Sequence, residues 1–228
     1  MSEREHTSKQ FEQQLRTLKD KLLVMSHHAE KMIADSIHAL IERRPSLAEE
    51  VIKSDDTLDK LEIEIDNMCY EILALEQPVA RDLRFIATAL KIVRDIERIG
   101  DTAVNIAERA QELIQEPEFK RLIDLPIMAD AAQRILKDSL DAFVNSDVDL
   151  AERVIQDDKL IDAYYEQILR ELLTYMMEDT KYISRALKII FIAKHLERVG
   201  DHSSNIAEMV IFLVRGQDVR HGTRIDRG

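Results

Sequence analysis

The sequence contains few residues that break helices or cross-link chains. Its 228 residues include five glycines, four prolines, one cysteine and no tryptophan. A chain poor in helix breakers and rich in Ala, Leu, Ile, Glu and Arg indicates an all-α protein. The single cysteine, Cys69, excludes an internal disulfide and favours a reducing, cytoplasmic location.

Long apolar segments are also absent. No apolar run approaches the roughly 20 residues that a membrane-spanning helix needs, and the start, MSEREHTSKQ, lacks the apolar region of a signal peptide. The formal net charge of −12 argues against a general nucleic-acid or anionic-membrane binder. We therefore expect a soluble protein that meets a membrane only through partner proteins.

Apolar residues recur at spacings of three and four along nearly the whole chain, which predicts helices. Capping boxes are predicted at Ser46 with Glu49 and at Asp149 with Glu152. Turn signals separate helices over about 8–43, 46–75, 79–115 and 127–144, a fifth from about 149, and a sixth from 179 or 180 to about 216. The predicted organisation is a first bundle over 8–115, a linker over 116–126 and a second bundle over 127–215, with residues 1–7 and 216–228 disordered.

The two halves of the chain repeat each other. ERIGDTAVNIAE, from Glu97, returns as ERVGDHSSNIAE, from Glu197, with eight of twelve positions identical. Seven further residues recur 103 positions later: Met25, Asp35, Ser36, Ala39, Leu47, Ala48 and Val51 match Met128, Asp138, Ser139, Ala142, Leu150, Ala151 and Val154. This collinear matching predicts two tandem three-helix bundles, six long antiparallel helices in all, related by internal duplication.

Acidic residues lie beside the apolar faces of these helices. The second helix carries a stripe of four, at spacings of four, three and four: Asp55, Asp59, Glu62 and Asp66. Its duplicate keeps Asp158 and Asp162, and Tyr165 replaces the third acid. Glu97 lies at the edge of the apolar arc of the third helix and Asp101 at its margin, and Glu197 and Asp201 are their duplicates.

Carboxylates one turn apart repel each other, so grouping them requires a compensating charge. A hard cation bound by oxygen ligands from facing helices would supply it. Gly100 and Gly200, inside the repeated motif, are costly in a helix and would let a neighbouring helix or a metal cluster come close. The alternative, a solvated acidic face, stays open, above all for Asp55 and Asp59.

Signals of catalysis are missing from the sequence. It has no glycine-rich phosphate loop, nucleophile elbow or cysteine cluster, and its only Glu-x-x-His spacing is Glu3 to His6. The helical histidines, His27, His28, His38, His195 and His202, have no matching duplicates. No enzyme activity is therefore predicted. The competing readings are a carboxylate-bridged metalloenzyme and a histidine phosphotransfer module using His28 or His202.

RDIERIGDTAVNIAE and KHLERVGDHSSNIAE resemble the twin signature helices of the PhoU family, and QPVARDLR, at 77–84, resembles another of its segments. The resemblance covers about residues 10–215. It implies multinuclear metal clusters of iron or zinc, with manganese, magnesium or nickel as further candidates. The implied ligands are Asp55, Asp59, Glu97 and Asp101 in the first half and Asp158, Asp162, Glu197 and Asp201 in the second, with Asn105 and Asn205 as weaker candidates.

The resemblance also implies a function and partners. Members of the family are cytoplasmic, often homodimeric adaptors between the phosphate ABC transporter, through its ATPase subunit, and the sensor histidine kinase of the phosphate regulon. They repress phosphate uptake and phosphate-starvation signalling. His195 stands where the first signature has Asp95, and Tyr165 where the first stripe has Glu62, so the two predicted metal sites need not be equivalent.

Overall fold

Six long α-helices make up almost all of the described chain. The computed structural model describes residues 3–118 and 120–216, and side chains from residue 9 onward. The helices are α1 (Glu3–Ile41), α2 (Pro45–Glu76), α3 (Ala80–Ile114), α4 (Asp124–Asn145), α5 (Val148–Glu178) and α6 (Ile183–Arg215), with a 3-10 turn at Thr180–Tyr182. The described residues form no strand. The predicted all-α class is confirmed, and none of the described helices is both long and apolar enough to span a membrane.

Each half of the chain forms one bundle of three helices. Helices α1, α2 and α3 pack on one another, and so do α4, α5 and α6. The two bundles join where α3 contacts α6 and α1 contacts α4. Helix α6 is the duplicate of α3, and α4 is the duplicate of α1. The interface between the halves therefore has the pseudo-twofold symmetry that the repeated sequence predicts.

Most of the residues that recur at the offset of 103 belong to the core. Met25 and Met128 are fully buried, as are the alanines and valines of the matched set. The buried hydroxyl of Ser36 donates to the carbonyl of Ile33 over 2.7 Å, and the hydroxyl of Ser139 donates to the carbonyl of Leu136 over the same distance. The duplication at these positions therefore preserves packing and satisfied polar groups.

The turn between the first two helices of each half is duplicated too. Arg43 and Ser146 both have positive φ, 52° and 55°. The following backbone N–H groups, of Arg44 and Asp147, donate to the carbonyls of Ala39 and Ala142, each over 2.9 Å. This pattern closes a helix C-terminus with a left-handed residue.

Both predicted capping boxes are wrong. Helix α2 begins at Pro45, and no side chain caps it; the fixed φ of proline suits the first turn and its missing N–H costs nothing there. Helix α5 is capped by Asp147, whose Oδ1 accepts from the N–H of Leu150 at 2.9 Å. In each half, the left-handed turn that ends the first helix sets where the second helix begins. At α5 the observed cap, Asp147, lies two residues before the predicted cap, Asp149.

The predicted boundaries differ from the structure at the linker and the N-terminus. Helix α4 begins at Asp124, inside the predicted linker 116–126, because a proline at position 126 is tolerated in a first helical turn. Helix α1 begins at Glu3, within the segment 1–7 predicted to be disordered. Of the tail predicted over 216–228, residues 217–228 lie outside the described part of the chain.

Candidate metal centres

The two mid-helix glycines allow the acid-bearing helices to approach. A β-carbon built on Gly100 would overlap the Cδ2 atom of Leu58 on α2 and lie 3.6 Å from Oδ1 of Asp55. A β-carbon on Gly200 would overlap Oδ1 of Asp158 on α5 and lie 3.3 Å from Ile161. The expectation that glycine lets a neighbouring helix come close is confirmed for both halves, and in each half an aspartate lies at that contact.

The four acids predicted in the first half lie within electrostatic range of one another. Burial raises the pKa of Asp55, and the negative charges of Asp59 and Asp101 raise it further. Burial also raises the pKa of Glu97, with Asp101 adding to the rise and Arg98 opposing it. Helices α2 and α3 therefore carry one shared acidic cluster, which we call the first acidic cluster: Asp55, Asp59, Glu97 and Asp101.

Arg98 is the cation nearest the signature acids of the first half. Its guanidinium lies 3.5 Å from the carboxylate of Glu97 and 3.4 Å from that of Asp101. The Arg98 side chain is 60% exposed, so these ion pairs are weak and the arginine is able to move away. The cluster also extends along α2, because the pKa of Glu62 is raised by burial and then by Asp66 and Asp59.

The second acidic cluster, on α5 and α6, consists of Asp158, Asp162, Glu197 and Asp201. Burial raises the pKa of Asp158 to about 6, with Asp162, Asp201 and Glu197 contributing to the rise. The Ser204 hydroxyl opposes this rise by donating to Oδ2 of Asp158 over 2.9 Å. Burial and then Glu197 raise the pKa of both Asp162 and Asp201. These four acids therefore lie within electrostatic range of one another, as those of the first half do.

The second cluster differs from the first in its cation. Nζ of Lys194 lies 2.5 Å from Glu197 and 5.3 Å from the ring centre of Tyr165. Tyr165 occupies the position of Glu62, and Lys194 that of Arg94. The tyrosine removes one acid from the second cluster and gives the lysine an aromatic face to lie on. The side chains that contact the two clusters therefore differ, and whether their metal sites differ stays a prediction.

Buried carboxylate oxygens in the second cluster lack hydrogen-bond donors. Oδ1 of Asp158 and Oε2 of Glu197 are buried without a partner, and Oδ1 of Asp66, at the end of the α2 stripe, is as well. A buried acceptor with no donor is costly, and a bound cation would satisfy it. An all-oxygen donor set of carboxylates fits a hard divalent cation better than a soft one.

The present side-chain positions do not form a closed ligand set. Among the described residues, no three His, Cys, Asp or Glu side chains converge closely enough to hold a metal ion. Unscreened carboxylates repel each other, and Arg98 and Lys194 hold the two signature glutamates. Binding an ion would therefore require these side chains to rotate toward one another.

The structure shows no contact between the weaker candidate ligands and the described carboxylates of the clusters. The amide of Asn105 donates to the backbone carbonyl of Asp101, one turn back on its own helix, over 2.7 Å. Asn205 is exposed. The hydroxyl of Ser204, which sequence reasoning passed over, is the polar neighbour that contacts an acid of the second cluster. Its counterpart in the first half is Val104, so comparing the two copies could have singled it out.

One contact between the halves was also missed by sequence reasoning. Nδ1 of His202 on α6 lies 2.8 Å from Oδ1 of Asp95 on α3, and each side chain is only 18% exposed. The counterpart of Asp95 in the second half is His195, and the counterpart of His202 in the first half is Thr102. Burial lowers the pKa of His195, whose Nδ1 has no hydrogen-bond partner among the described residues. The acid and the base were both visible in the sequence, but only the packing of α3 on α6 joins them.

The histidines proposed for phosphotransfer are both engaged. Nε2 of His28 lies 3.0 Å from the backbone carbonyl of Ser54, and His202 is held by Asp95. Both imidazoles are half-buried. Each contact engages one ring nitrogen, Nε2 of His28 and Nδ1 of His202, so the phosphotransfer alternative depends on the other nitrogen of each ring.

Both halves of the chain match the same family model. The model, described as the PhoU domain, matches residues 22–110 and again residues 125–210. The chain is 46% identical over 217 residues to the phosphate-specific transport system accessory protein PhoU homolog of Pseudomonas putida, covering 95% of this chain and 85% of that protein. It is 37% identical over 224 residues to the phosphate-specific transport system accessory protein PhoU of Escherichia coli (strain K12). That match covers 97% of this chain and 93% of the relative.

Solved structures show the same fold. The crystal structure of PhoU from Pseudomonas aeruginosa is 44% identical to this chain, with a TM-score of 0.84, and covers 91% of this chain and 100% of its own. The crystal structure of the phosphate transport system regulatory protein PhoU from Streptococcus pneumoniae is 28% identical to this chain, with a TM-score of 0.84. The match covers 92% of this chain and 99% of that protein's chain.

Proposed function

The chain belongs to the PhoU family of phosphate-specific transport system accessory proteins, and from that membership we propose that it represses phosphate uptake and phosphate-starvation signalling. It acts as a cytoplasmic, homodimeric adaptor between the ATPase subunit of a phosphate ABC transporter and the sensor histidine kinase of the phosphate regulon. The observation that carries the proposal is the match of both halves to the family along nearly the whole chain. The family is regulatory rather than enzymatic, which agrees with the missing catalytic motifs.

We further propose that each acidic cluster binds divalent metal. Asp55, Asp59, Glu97 and Asp101 would hold ions in the first half, and Asp158, Asp162, Glu197 and Asp201 in the second. The fit rests on the raised carboxyl pKa values and on the unpartnered oxygens of Asp158 and Glu197. Bound cations would supply the positive charge that the carboxylates lack. The candidates are iron, zinc, manganese, magnesium and nickel.

The proposed cation sites would act on the bundle through helix pairing. In each half the acids come from two helices, α2 with α3 or α5 with α6, and these pairs already touch at a glycine. Neutralising the acids would remove the repulsion between those two helices. Each bundle would therefore be fixed in one packing that presents a defined surface to the transporter and the kinase.

The regulatory proposal is tested in a host from which the gene has been deleted, with a reporter driven by a phosphate-starvation promoter. In ample phosphate, deletion should switch the reporter on, and the wild-type gene should silence it. Co-purification should recover the transporter ATPase and the kinase. A reporter that stays silent after deletion, with neither partner recovered, would contradict the adaptor role.

The metal part is tested separately in the same strain by Glu97→Gln/Asp101→Asn. We expect this variant to be produced at wild-type levels and to leave the reporter on. The matched control, Asp157→Asn, changes an exposed acid outside both clusters and should restore silence. A cluster variant that represses like wild type would leave the adaptor role intact and contradict a regulatory role for the metal.

A further inference from the structure

An open cleft of about 570 Å³ lies between the two bundles, beside the α3–α4 linker. Its volume falls in the range of sites that hold small organic molecules. The ends of α1 and α3, the start of α6 and the linker form its walls. The lining includes six aliphatic side chains, those of Leu40, Ile41, Leu113, Leu122, Ile123 and Ile189.

The symmetry-related place at the other end of the interface is filled. There the rings of Phe85 and Phe143 stack, with centroids 4.8 Å apart and an interplanar angle of 8°. Nζ of Lys19 lies 5.2 Å from the Phe85 ring centre and donates to the carbonyl of Val144 over 3.0 Å. Aromatic rings and a lysine stem therefore close the interface at that end.

The duplicated positions explain why the cleft is open. Leu40 stands where the other end has Phe143, and Arg185 stands where it has Phe85. Leu122 likewise takes the place of Lys19. Leu40, Leu122 and Arg185 all line the cleft. The stacked pair has no equivalent here, so the symmetric packing leaves space that the described side chains do not fill.

The cleft carries positive charge on an otherwise acidic protein. Two of its cations are paired: Lys120 with Glu171, and Arg185 with Glu116 at 3.8 Å. Within the described part of the chain, Arg43 donates to the backbone carbonyls of residues 114 and 116, at 2.5 and 2.6 Å, and forms no ion pair. Arg121 is exposed and makes no ion pair or hydrogen bond with a described residue. Glu118 is the one acid among the described lining residues.

We propose that this cleft binds a small amphiphile with an anionic head group and an aliphatic chain, of the fatty-acid class. The aliphatic walls would bury the chain, and Arg121 with Arg43 would hold the head group. A bare inorganic anion would leave the apolar walls in contact with water, so an acyl chain fits the whole surface better.

Calorimetric titration of the full chain with dodecanoate, below its micellar concentration, tests the proposal. We expect saturable binding of one molecule per chain. Arg121→Gln should weaken binding about tenfold, the effect of losing one charge-assisted hydrogen bond. Glu118→Gln should strengthen it by removing the nearby negative charge. The matched control is Arg81→Gln, which removes an exposed arginine away from the cleft and should bind as wild type does.

A second variant tests the location. Leu40→Phe places in the cleft one of the two rings that close the other end, and should abolish dodecanoate binding while the helical circular dichroism is unchanged. If Leu40→Phe fails to fold, Arg121→Gln still tests the proposal, because Arg121 is exposed and its substitution should not disturb folding. Absence of saturable binding, equal losses in Arg121→Gln and Arg81→Gln, or equal binding of dodecyltrimethylammonium would overturn the proposal. Binding to phosphatidylglycerol vesicles but not to monomeric dodecanoate would overturn it in favour of a membrane surface.

Discussion

The carboxylate of Asp158 occupies the space that a side chain on Gly200 would need. In the first half, Leu58 occupies the equivalent space beside Gly100. The same glycine thus makes room for an acid in one bundle and for a core leucine in the other. We therefore expect Gly100→Ala and Gly200→Ala to have different effects, although the chemical change is the same.

Gly100→Ala should destabilise the protein. The new methyl group would overlap Cδ2 of Leu58, a fully buried core side chain that would have to shift within the packed bundle. Overpacking of this kind costs about 1–3 kcal/mol, against a gain of about 1 kcal/mol in helix propensity. Denaturant unfolding of the metal-free protein measures the change, and an unfolding midpoint above that of wild type would contradict the tight contact.

Gly200→Ala should instead impair the second acidic cluster with little loss of stability. The Asp158 side chain can turn away, although it then loses the hydrogen bond from Ser204. We expect the free energy of unfolding to stay within about 1 kcal/mol of wild type. Metal analysis should show loss from the second cluster only. Full metal content in this variant would contradict the placement of Asp158 as a ligand.

Without metal, stability should fall as pH rises through the pKa of Asp158. That pKa is raised to about 6 in the folded protein from its ordinary value of 3.8, so this group's contribution is fully present below about pH 4 and lost above about pH 6. Asp158→Asn should flatten the fall and raise the free energy of unfolding at pH 7 by about 1 kcal/mol, allowing for solvent screening.

The measurement is urea unfolding of chelator-treated protein between pH 4 and pH 7. Asp157→Asn, at the exposed neighbouring position, is the control and should follow the wild-type curve. Parallel curves for wild type and Asp158→Asn over this range would show that Asp158 is not destabilised in the fold.

The contact between Asp95 and His202 should couple the two bundles. The pair is mostly buried at 2.8 Å, so a double-mutant cycle with Asp95→Asn and His202→Gln should give a coupling energy of about 1–2 kcal/mol. A cycle at the exposed ion pair Lys31–Asp35, also at 2.8 Å, should give about 0.3–0.5 kcal/mol. Equal couplings in the two cycles would contradict a special role for the interface pair.

The two left-handed turn residues should respond differently to glycine. Ser146→Gly relieves the strain of positive φ and should stabilise the protein by about 0.5–1 kcal/mol. Arg43→Gly relieves the same strain but removes the guanidinium that binds the carbonyls of Ile114 and Glu116, so it should destabilise by about 1 kcal/mol. Thermal unfolding checks both, and stabilisation of both variants would show that the arginine contacts are unimportant.

The sequence predicts much of this arrangement because duplication and helical periodicity are local signals. Glu97 and Asp101 could be placed beside the core from the wheel alone, and Gly100 indicated a close approach. Contacts that depend on how helices meet could not be predicted this way. The pairing of Asp95 with His202 requires the packing of α3 on α6.

The errors at the helix starts have a different cause. At Pro45 and Asp147, the left-handed turn that closes the preceding helix decides where the next helix begins. The Ser-x-x-Glu and Asp-x-x-Glu patterns are real sequence features but lie inside the first turns. A short motif could not show that the turn before it had already fixed the boundary.

The most direct test of the account is elemental analysis of tag-free protein purified without added metal. Wild type is compared with Glu97→Gln/Asp101→Asn and with Glu197→Gln/Asp201→Asn. We expect wild type to retain divalent metal and each double variant to lose only the part bound by its own cluster. Metal-free wild type, or the same metal content in all three proteins, would contradict the assignment of the acidic clusters as metal centres.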